Sequence, residues 1–261
     1  MLALIAGRGG LPGAVVAALP ERPLIAALEG FVPESVTVDE TFRIEHLGSF
    51  LANLTARGVR DVCFAGAVER PPIDQSQIDA QTMPLVPRIA AAMGQGDDAI
   101  LRTVIAIFED AGLTVRGVDE VAPSLLPPAG MLVGEMTDMA RPDIQRACEI
   151  HAALGAADVG QALVVHKGQA LALEGLFGTD WMLQSLVSRP DGRGGILYKA
   201  PKAGQDRRID LPTIGPKTVT GAVAAGLDGI VIEAGGVLVL DLADALAEAR
   251  AHGVFVAVEK P

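Results

Sequence analysis

Short apolar runs, separated by glycine turns and helical stretches, constrain this chain more than any other feature. Leu2–Ala6 has the length and uniformity of a strand buried on both faces. Gly7-Arg8-Gly9-Gly10-Leu11-Pro12-Gly13 follows and leads into Ala14–Leu19, with Pro12 suited to a first helical turn, where its missing N–H costs nothing. Pro23–Leu28 reads as a second strand ending at Glu29. The stripe Leu47, Phe50, Leu51 and Leu54 predicts a helix over 46–57, closed by Gly58, and Asp61–Ala65 reads as a third strand. Ile100, Leu101, Val104, Ile107 and Phe108 predict another helix, closed by Gly112. Leu113–Val115 and Gly117-Val118 then read as a strand region. Alternation of this kind predicts a parallel sheet layered with helices, a Rossmann-like α/β domain.

A composition break follows. Pro123, Pro127 and Pro128 precede a polar, methionine-rich stretch from Gly134 to Pro142, which places a domain boundary within 125–142. The expected domains are 1–130 and 131–261. Asp143–Leu154 reads as a helix. Ala162–Val165 and Ala170–Leu173, joined by His166-Lys167-Gly168, read as a hairpin whose antiparallel pairing would set this half apart from the first. Thr179 or Asp180 is expected to cap a helix at 181, and Asp241 to cap the last helix. Gly195–Tyr198, Gly229–Glu233, Val237–Leu240 and Val254–Val258 read as strands, and Thr218–Ala225 as a helix. The second domain is therefore expected to be mixed α/β (α+β).

Composition removes several functions. Aromatic residues are only 3% of the chain and the formal net charge is −11, which excludes stacking platforms and broad basic surfaces for nucleic acid. Cys63 sits inside an apolar run and Cys148 far from it, so a buried structural thiol in a reducing compartment is expected. The N-terminus has no basic region ahead of its apolar run, and no run reaches membrane-spanning length, so a soluble cytoplasmic protein is expected. His46, His151, His166 and His252 show no mutual ligand spacing. A Gly-x-Ser-x-Gly elbow and a phosphate loop of the form Gly-x-x-x-x-Gly-Lys-Ser/Thr are both absent from the sequence. Gly7–Gly13 followed by Glu29 approaches a dinucleotide fingerprint, but the glycine spacing and Pro12 depart from it. An NAD-linked oxidoreductase is the weakest of the readings kept. Carboxylate, Lys/Arg, amide and glycine remain, a set suited to pyrophosphate chemistry with a hard metal such as Mg²⁺.

One stretch concentrates those groups. Lys199–Thr218 holds Lys199, Lys202, Arg207, Arg208, Asp206 and Asp210 among prolines and glycines. Its Lys and Arg suit a polyanion, with Asp206 and Asp210 available for a metal or a water; equally, it reads as a solvated, proline-stiffened connector. The glycine turn at 7–10 offers backbone N–H groups at a helix start, a geometry that binds anions. Gly66 and Arg70 lie in a loop at a strand's carboxyl end, where open α/β sheets place ligands. Asp97 and Asp98 open a helix; one suffices as a cap, and the pair either favours the helix dipole or serves a ligand.

Taken together, these segments resemble the LpxI-type UDP-2,3-diacylglucosamine pyrophosphatases of lipid A biosynthesis. The resemblance is carried by Ile5–Pro12, Ala65-Gly66 with Arg70-Pro71, Gly96–Arg102, Asp158–Gln161, Gly178-Thr179-Asp180, Lys199–Gly215 and Ala225–Ile230, in order along the chain. The resemblance implies Mg²⁺-dependent hydrolysis of UDP-2,3-diacylglucosamine to UMP and 2,3-diacylglucosamine 1-phosphate (lipid X). It also implies a ligand held between two domains, a homodimer, and at most peripheral contact with the inner membrane. By motif position, Asp206 and Asp210 would bind Mg²⁺ or orient water, with Asp97 and Asp98 as further metal candidates. Lys199, Lys202 and Arg207 would neutralise the pyrophosphate. Gly7, Gly9, Gly10, Gly66, Arg70, Gln161, Thr179, Asp180, Gln205 and Thr213 would contact substrate. The family reads Glu-Gly-Thr-Asp where this chain has Phe177-Gly178-Thr179-Asp180, and Glu174 lies three residues earlier. The competing class is a non-catalytic binder of nucleotide sugar or lipid phosphate, which would need the Lys and Arg but not the two aspartates.

Overall fold

The computed structural model describes residues 1–69, 71–94 and 97–260, with the backbone alone at 97, 98 and 156. The chain forms two compact units, Met1–Pro123 with Asp206–Asp210, and Ser124–Gln205 with Leu211–Pro261.

In the first unit, β1 (Leu2–Ala6) leads through the glycine turn to α1 (Leu11–Ala18) and β2 (Leu24–Leu28). Then come β3 (Glu40–Phe42), α2 (Leu47–Ala56), β4 (Asp61–Ala65), α3 (Val86–Met93), α4 (Asp97–Asp110), β5 (Thr114–Arg116) and α5 (Val118–Val121). The strands run in the order β3-β2-β1-β4-β5, and every pairing is parallel. That order and direction are those of a Rossmann-like sheet. β1 and β2 are almost wholly buried because a parallel sheet covered on both faces has no solvent side, which is why they read as unbroken apolar runs. On one face, Phe50, Leu51 and Leu54 of α2 and Ile105 and Phe108 of α4 pack onto Ile5, Val62 and Val115. Phe42 stacks on Phe50 with ring centroids 4.0 Å apart. Cys63 is buried in β4, and burial pushes its thiol up to about 12.

The second unit contains β6 (Gly130–Val133), α6 (Ala140–Ala156), β7 (Ala162–His166), β8 (Gln169–Leu173), α7 (Gly178–Ser185) and β9 (Ile196–Lys199). It continues with β10 (Thr213–Ile214), α8 (Pro216–Ala224), β11 (Gly229–Glu233), β12 (Leu238–Val239), α9 (Leu242–His252) and β13 (Phe255–Glu259). A six-stranded sheet has the order β6-β13-β11-β9-β7-β8. Its centre, β13, β11 and β9, is parallel, while β6 and the β7–β8 hairpin add antiparallel edges. This is a mixed α/β unit. Met182, Leu183, Val219 and Ala249 of α7, α8 and α9 cover one face, and Ala140 and Ala147 of α6 cover the other. Asp143, 1% exposed, holds the hairpin turn by accepting the Lys167 and Gly168 N–H groups at 3.1 and 2.7 Å.

Several sequence expectations fail locally. Gly117 does not extend a strand but precedes the short helix α5, whose N-terminus Glu120 closes by accepting the Gly117 N–H at 3.5 Å. The proline-rich break runs into β6, which lies on β13. Val237–Leu240 yields only β12, and it pairs with β10 rather than with the large sheet. Asp241 sits at the start of α9 in the left-handed region, φ 46°, and its side chain makes no capping bond. α7 starts at Gly178, so Thr179 lies inside the helix and neither it nor Asp180 caps it.

Candidate functional site

In the second unit, β9 ends on Lys199, whose residue is only 6% exposed. Its Nζ donates to Thr179 Oγ1 at 2.8 Å and to the Thr213 carbonyl at 3.1 Å. The Thr179 hydroxyl donates in turn to Glu174 Oε1 at 3.0 Å, and Glu174 Oε2 accepts the Gln161 N–H at 3.1 Å. Gln161 continues the network: its Nε2 donates to Gln205 Oε1 at 3.1 Å, and the same oxygen accepts the Lys202 N–H at 3.0 Å. Lys202 Nζ pairs with Asp158.

Local sequence explains why these groups meet. β7 and β8 run antiparallel, so Gln161 before β7 and Glu174 after β8 lie at the same end of the hairpin. Gly160 allows the close approach, since a Cβ there would come within 2.1 Å of the Glu174 carbonyl oxygen. β9 is antiparallel to β7 with Lys199 opposite Ala162, which brings Lys199 to that same end. α7 is held by buried Met182 and Leu183, and Thr179 is therefore fixed on its inner face. Gln161, Thr179, Lys199, Lys202, Gln205 and Thr213 thus join one hydrogen-bonded network. Asp180, their neighbour in sequence, is exposed on the first turn of α7. Chemically the network is a set of amide and ammonium donors aligned by one carboxylate, a suitable receiver for phosphate oxygens.

Asp206–Asp210 belongs to the first unit although its flanks belong to the second. Ile209 packs against the apolar core there, and Arg208 Nη1 donates to Glu109 Oε1 at 2.7 Å. Arg208 also holds Asp206, from Nε to Oδ1 at 2.9 Å and from Nη2 to Oδ2 at 2.7 Å. The guanidinium keeps the Asp206 carboxyl below the usual carboxylate range. Asp210 is half-buried and its N–H donates to the Asp206 carbonyl at 3.3 Å; Arg207 is exposed.

The glycine turn after β1 is tied to the loop after β4. Gly7 N–H donates to the Ala65 carbonyl at 2.8 Å, and Arg8 and Ala67 exchange backbone bonds of 2.9 Å. Gly7 and Gly66 lie back to back, where a Cβ on Gly66 would meet the Gly7 carbonyl oxygen at 2.6 Å. The Gly7 N–H is therefore used inside the fold rather than offered to an anion. Gly9, at φ 98°, and Gly10, at the start of α1, complete the turn. Glu29, which a dinucleotide site would keep for a ribose, faces Arg43 at 3.7 Å. Arg70 lies outside the described residues, and Asp97 and Asp98 open α4 with side chains outside the description.

No three His, Cys, Asp or Glu side chains stand together as a metal centre among the described residues. Mg²⁺ does not need such a cage, because it keeps waters and takes one or two carboxylates with substrate phosphates. Of the two loop aspartates, Asp206 has both oxygens engaged by Arg208. Sequence reasoning gave no role to Glu174 or Asp158, and it read Arg208 as charge for a polyanion rather than as the partner of Asp206. The available signal for Glu174 was an acid at the end of a hairpin strand, followed by a glycine.

A Rossmann-like unit and a mixed α/β unit, the latter carrying a network of ammonium, amide and carboxylate groups around the buried Lys199, define a class of two-unit α/β proteins. The family models resolve the class further: the LpxI N-terminal domain matches residues 1–125 and the LpxI C-terminal domain matches 128–257. The chain is also 37% identical, over 98% of its length and 96% of the relative's, to the UDP-2,3-diacylglucosamine pyrophosphatase LpxI of Caulobacter vibrioides. This chain belongs to the LpxI family. No helix among the described residues is long and apolar enough to cross a membrane.

Proposed function

We propose that this protein hydrolyses the pyrophosphate of UDP-2,3-diacylglucosamine, releasing UMP and 2,3-diacylglucosamine 1-phosphate for lipid A biosynthesis. Water adds to one phosphorus, the bridging P–O bond breaks, and each product leaves with a phosphate. The observation that carries this reading is the network at the end of β9, in which Lys199 is buried yet held by a hydroxyl and a carbonyl. Such a preoriented cation stabilises charge that grows on phosphate oxygens without reorganising during the reaction. Lys202 and Arg207 add positive charge along the same stretch, and Gln161 and Gln205 contribute amides.

Asp210 is assigned to orient the attacking water or to hold Mg²⁺, and Asp206 to shape the loop through Arg208. Magnesium, when bound, would neutralise phosphate charge and favour ionisation of water. Contact with the membrane that supplies the diacylated substrate is peripheral in this reading. The test is incubation of purified protein with UDP-2,3-diacylglucosamine, with and without Mg²⁺, followed by measurement of UMP. Release with Mg²⁺ and its loss in chelator is the expected result. Binding of substrate without release of UMP in either condition would replace the enzyme with a binder.

A further inference from the structure

We infer that Glu174 is a positioning residue: acting through the Thr179 hydroxyl, it sets where the Lys199 ammonium stands. The inference rests on the proposed phosphate-binding role of Lys199. A threonine hydroxyl has one proton and two acceptor lone pairs. By accepting that proton at 3.0 Å, Glu174 Oε1 turns the oxygen lone pairs toward Lys199 Nζ, 2.8 Å away. Without the carboxylate, the hydroxyl could rotate its proton toward the ammonium and repel it. Thr179 and Lys199 are 8% and 6% exposed, so a negative charge one hydroxyl away acts on the ammonium more strongly than it would in water.

Glu174 is itself held firmly enough to act as a reference point. Its N–H donates to the Ala162 carbonyl at 2.9 Å and its Oε2 accepts the Gln161 N–H at 3.1 Å. Gly160 packs directly against its backbone, leaving no room for a Cβ. The ammonium also donates to the Thr213 carbonyl at 3.1 Å, and Thr213 follows the charged loop in sequence. Glu174 and Thr179 therefore hold the side of Lys199 that faces α7.

The test uses the full chain labelled with 15N-lysine, and Glu174→Gln, Thr179→Val and Thr179→Ser variants. Wild type is expected to give a slowly exchanging ammonium resonance that Lys199→Met removes. Thr179→Ser should keep it, and Glu174→Gln and Thr179→Val should lose it. With UDP-2,3-diacylglucosamine as substrate, Glu174→Gln and Thr179→Val should lower kcat by about tenfold to a hundredfold. KM should stay within about threefold, and Thr179→Ser should restore most of the rate. A purely structural Glu174 would lower the melting temperature and leave the resonance of the folded protein intact. An unchanged resonance, or an unchanged kcat in both Glu174→Gln and Thr179→Val, overturns the inference. Wild type that shows the predicted resonance pattern but releases no UMP strikes the substrate reading alone, and the Glu174–Thr179–Lys199 relay then stands as a feature of another phosphate site.

Discussion

Arg208 grips the Asp206 carboxylate by both oxygens, Nε to Oδ1 at 2.9 Å and Nη2 to Oδ2 at 2.7 Å, while its remaining arm reaches Glu109 at 2.7 Å. The charged loop is thereby pinned at Asp206. Asp206 is spent on local structure, and its N-terminal position lets it also accept the Arg208 N–H at 3.1 Å. Asp206→Asn is expected to cost about 1 kcal/mol of stability, because the pair is partly solvated. Its effect on UMP release should be modest. Asp210→Asn is expected to lower the rate by at least about a hundredfold, with a melting temperature close to wild type. Thermal melts and initial rates on both variants decide the matter. Full activity of Asp210→Asn at saturating Mg²⁺ would remove Asp210 from the chemistry.

A second carboxylate ties a long loop to the first unit. Glu45, 3% exposed, accepts from Arg43 and from the Asp74 N–H at 2.8 Å, and Arg43 holds its carboxyl down to about 2. A lowered folded-state value stabilises the protein above the unfolded carboxylate range and loses that contribution as pH falls through the folded value. Glu45→Gln should therefore be less stable than wild type by about 2 kcal/mol at pH 7. Denaturant titrations should show the gap shrinking below about pH 4 and closing toward pH 2. A gap independent of pH would mean that packing, not charge, accounts for the loss.

The glycine pair at the ends of β1 and β4 predicts a sharp stability effect. Gly66 has φ 96°, and a Cβ there would meet the Gly7 carbonyl oxygen at 2.6 Å. Gly66→Ala should cost about 2–5 kcal/mol, combining left-handed backbone strain with a backbone overlap that no side-chain motion relieves. Gly58 offers the control: it also has positive φ, but a Cβ there meets nothing within 4 Å, so Gly58→Ala should cost only about 1 kcal/mol. Equal losses at the two positions, read by chemical denaturation, would contradict the packing argument.

What could be read from the sequence follows from where burial is complete. β1, β2, β4, β9, β11 and β13 are buried runs and announce themselves as strands, as does the β7–β8 hairpin through its turn. β3 is a three-residue edge strand, Glu-Thr-Phe, with no fully buried residue, so it leaves no periodic trace. β6 has only Val133 buried and follows a proline cluster, so local composition pointed to a linker. Residues of the charged loop stood out as candidates because charge among prolines and glycines is conspicuous. Glu174 was not, since its role depends on a hairpin, a helix and a strand meeting at one end of a sheet. Arg208 was similarly hidden: only the fold brings Glu109 to it across 99 positions of chain.

Cys63 provides a reporter of opening in the first unit. It is fully buried in β4, and burial pushes its thiol up to about 12, so little nucleophilic thiolate exists in the native state at pH 8. Labelling must wait for an opening that exposes the strand. Leu54 is fully buried in the core that includes Val62, the neighbour of Cys63 in β4, and Leu54→Ala should destabilise the protein by about 3 kcal/mol. If opening and closing are fast relative to labelling, that loss makes the open form about a hundredfold more populated, and Cys63 should label about a hundredfold faster. Cys148, half-buried in the second unit, should show no comparable acceleration if the two units open separately. Peptide mapping by mass spectrometry after timed alkylation follows both thiols in one sample. Equal acceleration at Cys63 and Cys148 would mean that the chain unfolds as a single cooperative unit.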